Sequence, residues 1–279
     1  MKYVTVKEFR TFYSFHPIQV SGEALKGPAD GANKTFYTVN RPLVDFDYDG
    51  QVVDDVAVFV NGAQASISSV DAETGAITLS TAPSSGASVT ANYFWHPFGD
   101  GEVRQVVEQA ENEVDLAAGR SFESAAVTER VHMTVGQFVQ LSRLPIQAVN
   151  SVKIVSMSGN VVATLSTDDY VVMSTGIWLK KHRAGIPSPP WYLPAEFFAE
   201  VEYVGGYTTI PSHVKHATLT IAGYRLLLKV AQQLSVEPEY QGKVSVALKS
   251  PSDLEKRLET LSREVADVKH SLSLRAAVI

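Results

Sequence analysis

Residues 45–50 read Asp-Phe-Asp-Tyr-Asp-Gly, with carboxylates at the first, third and fifth places and glycine at the sixth. That is the opening half of a calcium loop, in which oxygen ligands alternate and the glycine makes the sharp turn. The closing half is missing: the twelfth place, where a bidentate glutamate completes the shell, is Val56, and no helical pattern flanks the loop. Asp45, Asp47 and Asp49 therefore read as an acidic turn between β segments and only weakly as a cation site. His213 and His216 stand i, i+3 at a helix opening, where two imidazoles can share a face toward a metal. No third ligand follows at a usual spacing, and polar residues ordinarily occupy that position.

Other chemistries fail sooner. The chain has no cysteine, which excludes thiol catalysis, cysteine zinc sites and disulfides, and fits a reducing compartment. There is no G-x-S-x-G elbow, no phosphate loop and no dinucleotide fingerprint, and QGKVS at 241–245 lacks the upstream glycine. Asn33-Lys34-Thr35 has the form of a glycosylation acceptor with no secretory signal beside it. Trp191 and Tyr192, in SPPWYLP, either stack on a ligand or pin their loop to the core or to a neighbouring subunit. No catalytic constellation and no cofactor site emerges, so the expectation is a protein that turns nothing over.

The elements around these residues change period along the chain. Residues 3–15 have helical spacing, with Val6, Phe9, Phe12 and Tyr13 able to share a face, and 17–34 read as a linker rich in Gly, Pro, Ser and Asp. Between 35 and 98 the period is two. Asn61-Gly62 between apolar runs suits a type I′ hairpin, and the segment reads as a small β-sandwich-like domain. Helical spacing returns at Val103, Val106, Val107, Ala110, Val114 and Ala117, with Gly119 placed to end the helix. Short strand-like runs fill 125–204. Gly205, Gly206 and Tyr207 then make a sharp turn, and Pro211 and Ser212 open a long helix to about Leu234.

After a spacer at 235–249 comes a different text. Leu254, Leu258, Leu261, Val265, Val268 and Leu272 are spaced four and three alternately, a narrow coiled-coil seam that packs either on its own domain or, as the spacer favours, on a partner chain. The fold class expected is α+β: a short N-terminal helix and two long helices, an antiparallel β portion, an inserted all-β domain and an extended C-terminal helix. The domains are 1–34, 35–98, 99–234 and 235–279.

Length and composition allow this. At 279 residues and 45% apolar content the chain can bury one or two ordinary cores. A net charge of −6 argues against wrapping nucleic acid phosphates. MKYVTVKEFRTFYSF has neither a long apolar core nor a small-residue cleavage pattern, and Arg225 and Lys229 interrupt the most apolar helix. Neither a signal peptide nor a membrane span is expected.

Three segments together resemble the head-to-tail adaptor (connector) proteins of long-tailed bacteriophages and related viruses. The first is EVRQVVEQAENEVDLAAGRSF, an amphipathic helix with central Ala110 that ends in Gly119-Arg120-Ser121-Phe122. The second is LPIQAVNSVKIVSMSGNVVATLSTDDYVVM. The third runs from the last strand through Gly206, Tyr207, Ile210 and Pro211 to Ala217. The departure is the β unit at 35–98, where the family has a brief loop; it reads as an insertion.

The resemblance implies a structural virion protein of the head–tail neck, assembled in the host cytoplasm. It implies a homo-oligomeric ring, typically a twelvefold dodecamer, docked under the portal protein and above a stopper or tail-terminator ring. The lumen is a DNA ejection channel through which genomic DNA passes without sequence-specific binding, and a negative net charge suits it. In such proteins the C-terminal segment reaches into the portal, which assigns portal or neighbour binding to the six seam residues. The alternatives are another neck, tail-completion or baseplate ring protein and, from a different class, a calcium-dependent carbohydrate-binding module or enzyme built on the inserted domain.

Overall fold

The computed structural model describes residues 1–133, 138–180, 197–234 and 251–277. The chain is α+β, with antiparallel sheets and, among the described residues, four helices. It divides into two compact units. One comprises Met1, Tyr3–Glu111 and Ala217–Asp267; the other comprises Lys2, Asn112–His216 and Val268–Ile279.

The first unit opens with α1 (Val6–Tyr13). Thr5 caps it: its hydroxyl accepts from the Glu8 amide while the Glu8 carboxylate accepts from the Thr5 amide, so two orphan helix donors are satisfied reciprocally. The buried face is Val6, Phe9 and Arg10, with Tyr13 half-buried. Phe12, expected on that face, is exposed, because the i, i+3, i+4, i+7 stripe from Val6 runs through residue 10 instead. Gly223 in α3 (Ser212–Leu234) leaves room for the Tyr13 ring, whose hydroxyl donates to the Leu219 carbonyl at 3.0 Å.

Two antiparallel sheets follow. One has the order β1-β7-β3-β4, from β1 (Ile18–Ala24), β3 (Ala57–Val60), β4 (Ala63–Ala65) and β7 (Val89–Trp95); the other is β2-β6-β5, from β2 (Thr35–Tyr37), β5 (Ile67–Asp71) and β6 (Ala76–Leu79). Asn61 and Gly62 join β3 to β4 with φ of 50° and 83°, the positive values that a two-residue I′ turn requires. Alternate residues of β7, Val89, Ala91 and Tyr93, enter a core with Phe36, Ile77 and Leu79.

The linker expected at 17–34 is in part a strand. β1 pairs with β7 from Ile18↔Trp95 to Ala24↔Thr90, so the β unit begins before residue 35. Composition hid it because an edge strand is held by its backbone ladder and tolerates polar, exposed side chains. The ladder slips between Val20 and Glu23, where Gly22 takes φ 69° and its amide donates to the Asn92 side chain instead.

α2 (Asp100–Ala118) buries Val103, Val106, Val107, Ala110 and Val114, and Gly119 ends it at φ 63°. In the second unit β8 (Ala125–His132), β10 (Ile146–Ser156), β11 (Val161–Leu165) and β14 (Phe197–Gly205) form the sheet β11-β10-β14-β8. A smaller sheet, β12-β13-β9, is built from β9 (Phe138–Gln140), β12 (Tyr170–Met173) and β13 (Gly176–Leu179). Val152, Ile154, Val201, Tyr203, Ile177 and Leu179 belong to one core. The last helix is α4 (Pro251–Ala277).

Candidate functional site

The sharp turn after β14 is where distant segments of the second unit meet. A Cβ on Gly205 would overlap the Arg143 carbonyl oxygen, and one on Gly206 would overlap the Glu123 carbonyl, so both approaches need glycine. Gly206 also takes φ 103°. Its amide donates to the Pro145 carbonyl at 3.0 Å and its carbonyl accepts from Gln147 Nε2 at 2.7 Å. The next amide, of Tyr207, donates to the Phe122 carbonyl at 2.8 Å, and the two rings lie 6.3 Å apart. Arg143 Nη1 closes the set by donating to the Glu123 carbonyl at 2.7 Å.

Thus the Gly-Arg-x-Phe turn, the Leu-Pro strand entry and the Gly-Gly-Tyr corner, separate in sequence, are one hydrogen-bonded node. Pro211 precedes α3 and its carbonyl accepts from Val214 and Lys215, so it starts the helix that leaves the corner. Arg120 lies with its guanidinium 5.0 Å from the centre of the Phe122 ring. The His213 ring meets the same ring edge-on at 6.5 Å. The node is held by ring packing and by hydrogen bonds to main-chain carbonyls.

The acidic loop is likewise tied to itself. Asp45 is buried, and its two carboxylate oxygens accept from the Tyr48 and Gly50 amides at 2.5 and 2.6 Å. Asp47 and Asp49 accept from the amides two residues on. One oxygen from each of the three lies within 4.8 Å of the others, and this is the one such group among the described residues. His213 and His216 join no such group. Asn33 spends its amide on Pro28, Thr35 and the Thr35 amide. Trp191, Tyr192 and 241–245 lie outside the described residues.

For the C-terminal seam the structure places Leu254, Leu261, Val265 and Leu272 in buried positions and leaves Leu258 and Val268 half-buried. Four of the six seam positions, which the spacer favoured for a partner chain, are thus buried by the chain's own residues. In the first unit, burial and then the Glu264 carboxylate push the Tyr13 hydroxyl well above its ordinary pKa, against the lowering effect of Arg257. In the second, Lys269 pairs with Glu113.

No family model and no curated protein matches the sequence. Among solved structures the chain is similar to one in "Virion of native gene transfer agent (GTA) particle", with a TM-score of 0.33 and 12% identity over 46% of this chain and 66% of that one. It is also similar to one in "Neck of empty GTA particle computed with C6 symmetry", at 0.32 and 14% identity over 44% and 65%. The chain thus spans just under two thirds of the length of either. Likeness at this level says nothing of function.

Sequence reasoning missed three polar clusters. Arg10 is fully buried: Nε and Nη2 donate to Asp100 at 3.0 and 2.8 Å, Nη2 to the Phe98 carbonyl and Nη1 to that of Phe15. The other Asp100 oxygen accepts from the Asp45 amide, so the first residue of α2 joins α1 to the acidic loop. Beside them His96 is held neutral, with its pKa pushed down to about 3 by burial and then by the Arg10 charge; its Nδ1 accepts from the Phe98 amide. Glu111 is buried in α2 and caps the chain start by accepting from the Tyr3 and Val4 amides. A charged residue on a helix stripe is the only sequence signal for either, and it does not say which partner pays for burial.

The third cluster is a device used twice. Tyr203 Oη donates to Glu129 at 2.6 Å, and Tyr93 Oη to Glu23 at 2.7 Å. In each case the tyrosine sits two residues along from the one opposite the glutamate. Each glutamate also holds a loop, Ser142 in one unit and Val39 with Asn40 in the other. Between α2 and α3 in the first unit, a polar groove carries Arg225 and Lys229, engaged with Gln109 and Glu102. No helix among the described residues is long and apolar enough to cross a membrane.

Proposed function

We propose that the chain is a structural subunit of a virus particle: one protomer of a neck ring that joins the capsid portal to a stopper or tail ring and lines the channel for DNA. The observation that carries this reading is the node at Gly206. The three segments on which the adaptor resemblance rests meet there: the Gly206 amide donates to the Pro145 carbonyl, the Tyr207 amide to the Phe122 carbonyl, and the Gln147 side chain to the Gly206 carbonyl. Motifs that meet in space are parts of one device, and the bonds at this node fix the end of β14 against the turns at Phe122 and Pro145.

In this reading the homo-oligomer is a closed ring, twelvefold by analogy, because heterologous contacts either close or run on as filaments. The seam residues Leu254, Leu258, Leu261, Val265, Val268 and Leu272 contact the portal or a neighbouring subunit. Since most are buried within the chain, that contact requires α4 to leave its present seat. Electron microscopy of the purified protein, alone and mixed with a portal, tests the reading. Rings that dock on the portal are expected from the full chain, and a chain ending at Lys249 should not dock. Equal docking by both overturns the role of α4; neither rings nor docking overturns the neck reading itself.

A further inference from the structure

The turn between β3 and β4 holds the one Asn-Gly pair in the sequence, Asn61-Gly62. Asparagine before glycine is the pair in which a backbone nitrogen most easily reaches the side-chain amide, because no Cβ shields the glycine nitrogen. Both residues are exposed, and a Cβ on Gly62 would meet nothing within 4 Å, so the tip is open to water. The Asn61 side chain is held in place at the same time. Its Oδ1 accepts from the Ser88 amide at 2.9 Å, while the Asn61 amide donates to the Ser88 carbonyl, also at 2.9 Å. A donor already on Oδ1 meets the negative charge that builds there when a nucleophile adds to Cγ.

We propose that Asn61 is a site of spontaneous modification in the folded chain, converting to aspartate and isoaspartate. The Gly62 nitrogen, having given its proton to a base in solvent, adds to Cγ of Asn61. The tetrahedral centre then expels the side-chain nitrogen, which takes up a proton and leaves as ammonia, and a five-membered succinimide remains. Water opens that ring at either carbonyl. Attack at Cγ gives aspartate, and attack at the main-chain carbonyl gives isoaspartate; each is a net exchange of ammonia for water, with nothing oxidised or reduced.

The two products have opposite consequences for the hairpin. Aspartate keeps the main chain, suits the same I′ turn and still accepts from the Ser88 amide, so it adds a negative charge and little else. Isoaspartate routes the main chain through Cβ and adds a methylene to a turn whose length sets the register Val58↔Ala65, Phe59↔Gln64, Val60↔Ala63. β4 is three residues long and, among the described residues, pairs with β3 alone at the end of its sheet. With its register broken it comes away and bares the outer edge of β3 to other chains. None of this depends on the neck reading.

The full chain held in mildly alkaline buffer and sampled over weeks tests this. Peptide mapping reads the amide-to-acid mass change, and labelled methyl transfer from S-adenosylmethionine by an isoaspartyl methyltransferase counts isoaspartate, with circular dichroism to establish that each sample is folded. Asn61 is expected to convert ahead of every other asparagine, including Asn150, which is exposed at an irregularity of the β10 ladder and followed by serine. Gly62→Ala should lose most of the methyl label; if that variant melts early, the parent's own time course decides. Asn61→Asp should melt with the parent, and aged protein rich in isoaspartate should melt earlier. An Asn61 still intact when Asn150 has converted, or one converted only after unfolding in urea, overturns the site. Isoaspartate-rich protein that melts with the parent overturns the release of β4.

Discussion

Tyr203 on β14 and Glu129 on β8 are joined by a 2.6 Å hydrogen bond that runs diagonally across the ladder, and the same tyrosine oxygen accepts from the Arg143 amide. The bond therefore ties the central sheet of the second unit to the loop that enters the Gly206 node. Burial and then the Glu129 bond raise the Tyr203 pKa to about 12, and Tyr93 is raised to about 12 by burial and then by Glu23. Both shifts have the same sign. A folded pKa above the unfolded value of 10.0 means that the stabilisation is complete below pH 10 and is lost as pH rises toward 12.

Tyr203→Phe should accordingly cost about 1–3 kcal/mol at neutral pH, since it leaves the Arg143 amide without an acceptor and takes from Glu129 one of its donors. Chemical denaturation at pH 7 and again near pH 11 checks this. The gap between variant and parent should shrink at the higher pH, and an unchanged gap would count against the bond as its source.

Gly206→Ala is expected to destabilise the second unit by roughly 3 kcal/mol, because positive φ and overlap with the Glu123 backbone act together. Gly119→Ala, also at positive φ but with open space around its Cβ position, should cost only about 1 kcal/mol. Equal melting shifts for the two would show that close approach at the node contributes nothing.

His96 makes the first unit acid-sensitive. Its folded pKa near 3 lies below the ordinary 6.5, so the unfolded chain binds the extra proton and stability falls as pH drops through that window. Replacing His96 by Asn should remove about 1.4 kcal/mol per pH unit from the slope of stability against pH below 6.5. Urea titrations at pH 7, 6, 5 and 4 would read that slope directly, and a variant slope equal to the parent's would refute the assignment.

Asp100→Ala strands the fully buried Arg10 guanidinium and frees the Asp45 amide, at an expected cost of about 3–5 kcal/mol. Changing Arg10 to Met as well should return part of that loss, because two desolvated charges then leave together. A double variant less stable than Asp100→Ala alone would contradict this.

Val265→Asp places a charge in a seam covered by the chain's own residues, so it should lower the melting temperature of the isolated protein, by roughly 2–4 kcal/mol in stability. The exposed neighbour Ala266→Asp should be near neutral. If both leave melting unchanged, α4 does not rest in this seat in solution.

By itself the sequence determined the elements whose cause is local. The period of two, the Asn61-Gly62 turn, the helix that stops at Gly119 and the glycine pair before Pro211 follow from backbone sterics and alternation, which need only near neighbours. The same was true of the heptad spacing in α4, though not of what covers it: a seam states that it must be buried and leaves the partner open. β1 was illegible because an edge strand's hydrogen bonds need no apolar side chains. Arg10, Asp100, His96 and the tyrosine–glutamate struts were decided by the tertiary structure alone. The partner that makes each burial tolerable lies far along the chain, and only folding brings Asp100 to Arg10 and the Glu123 carbonyl to Gly206.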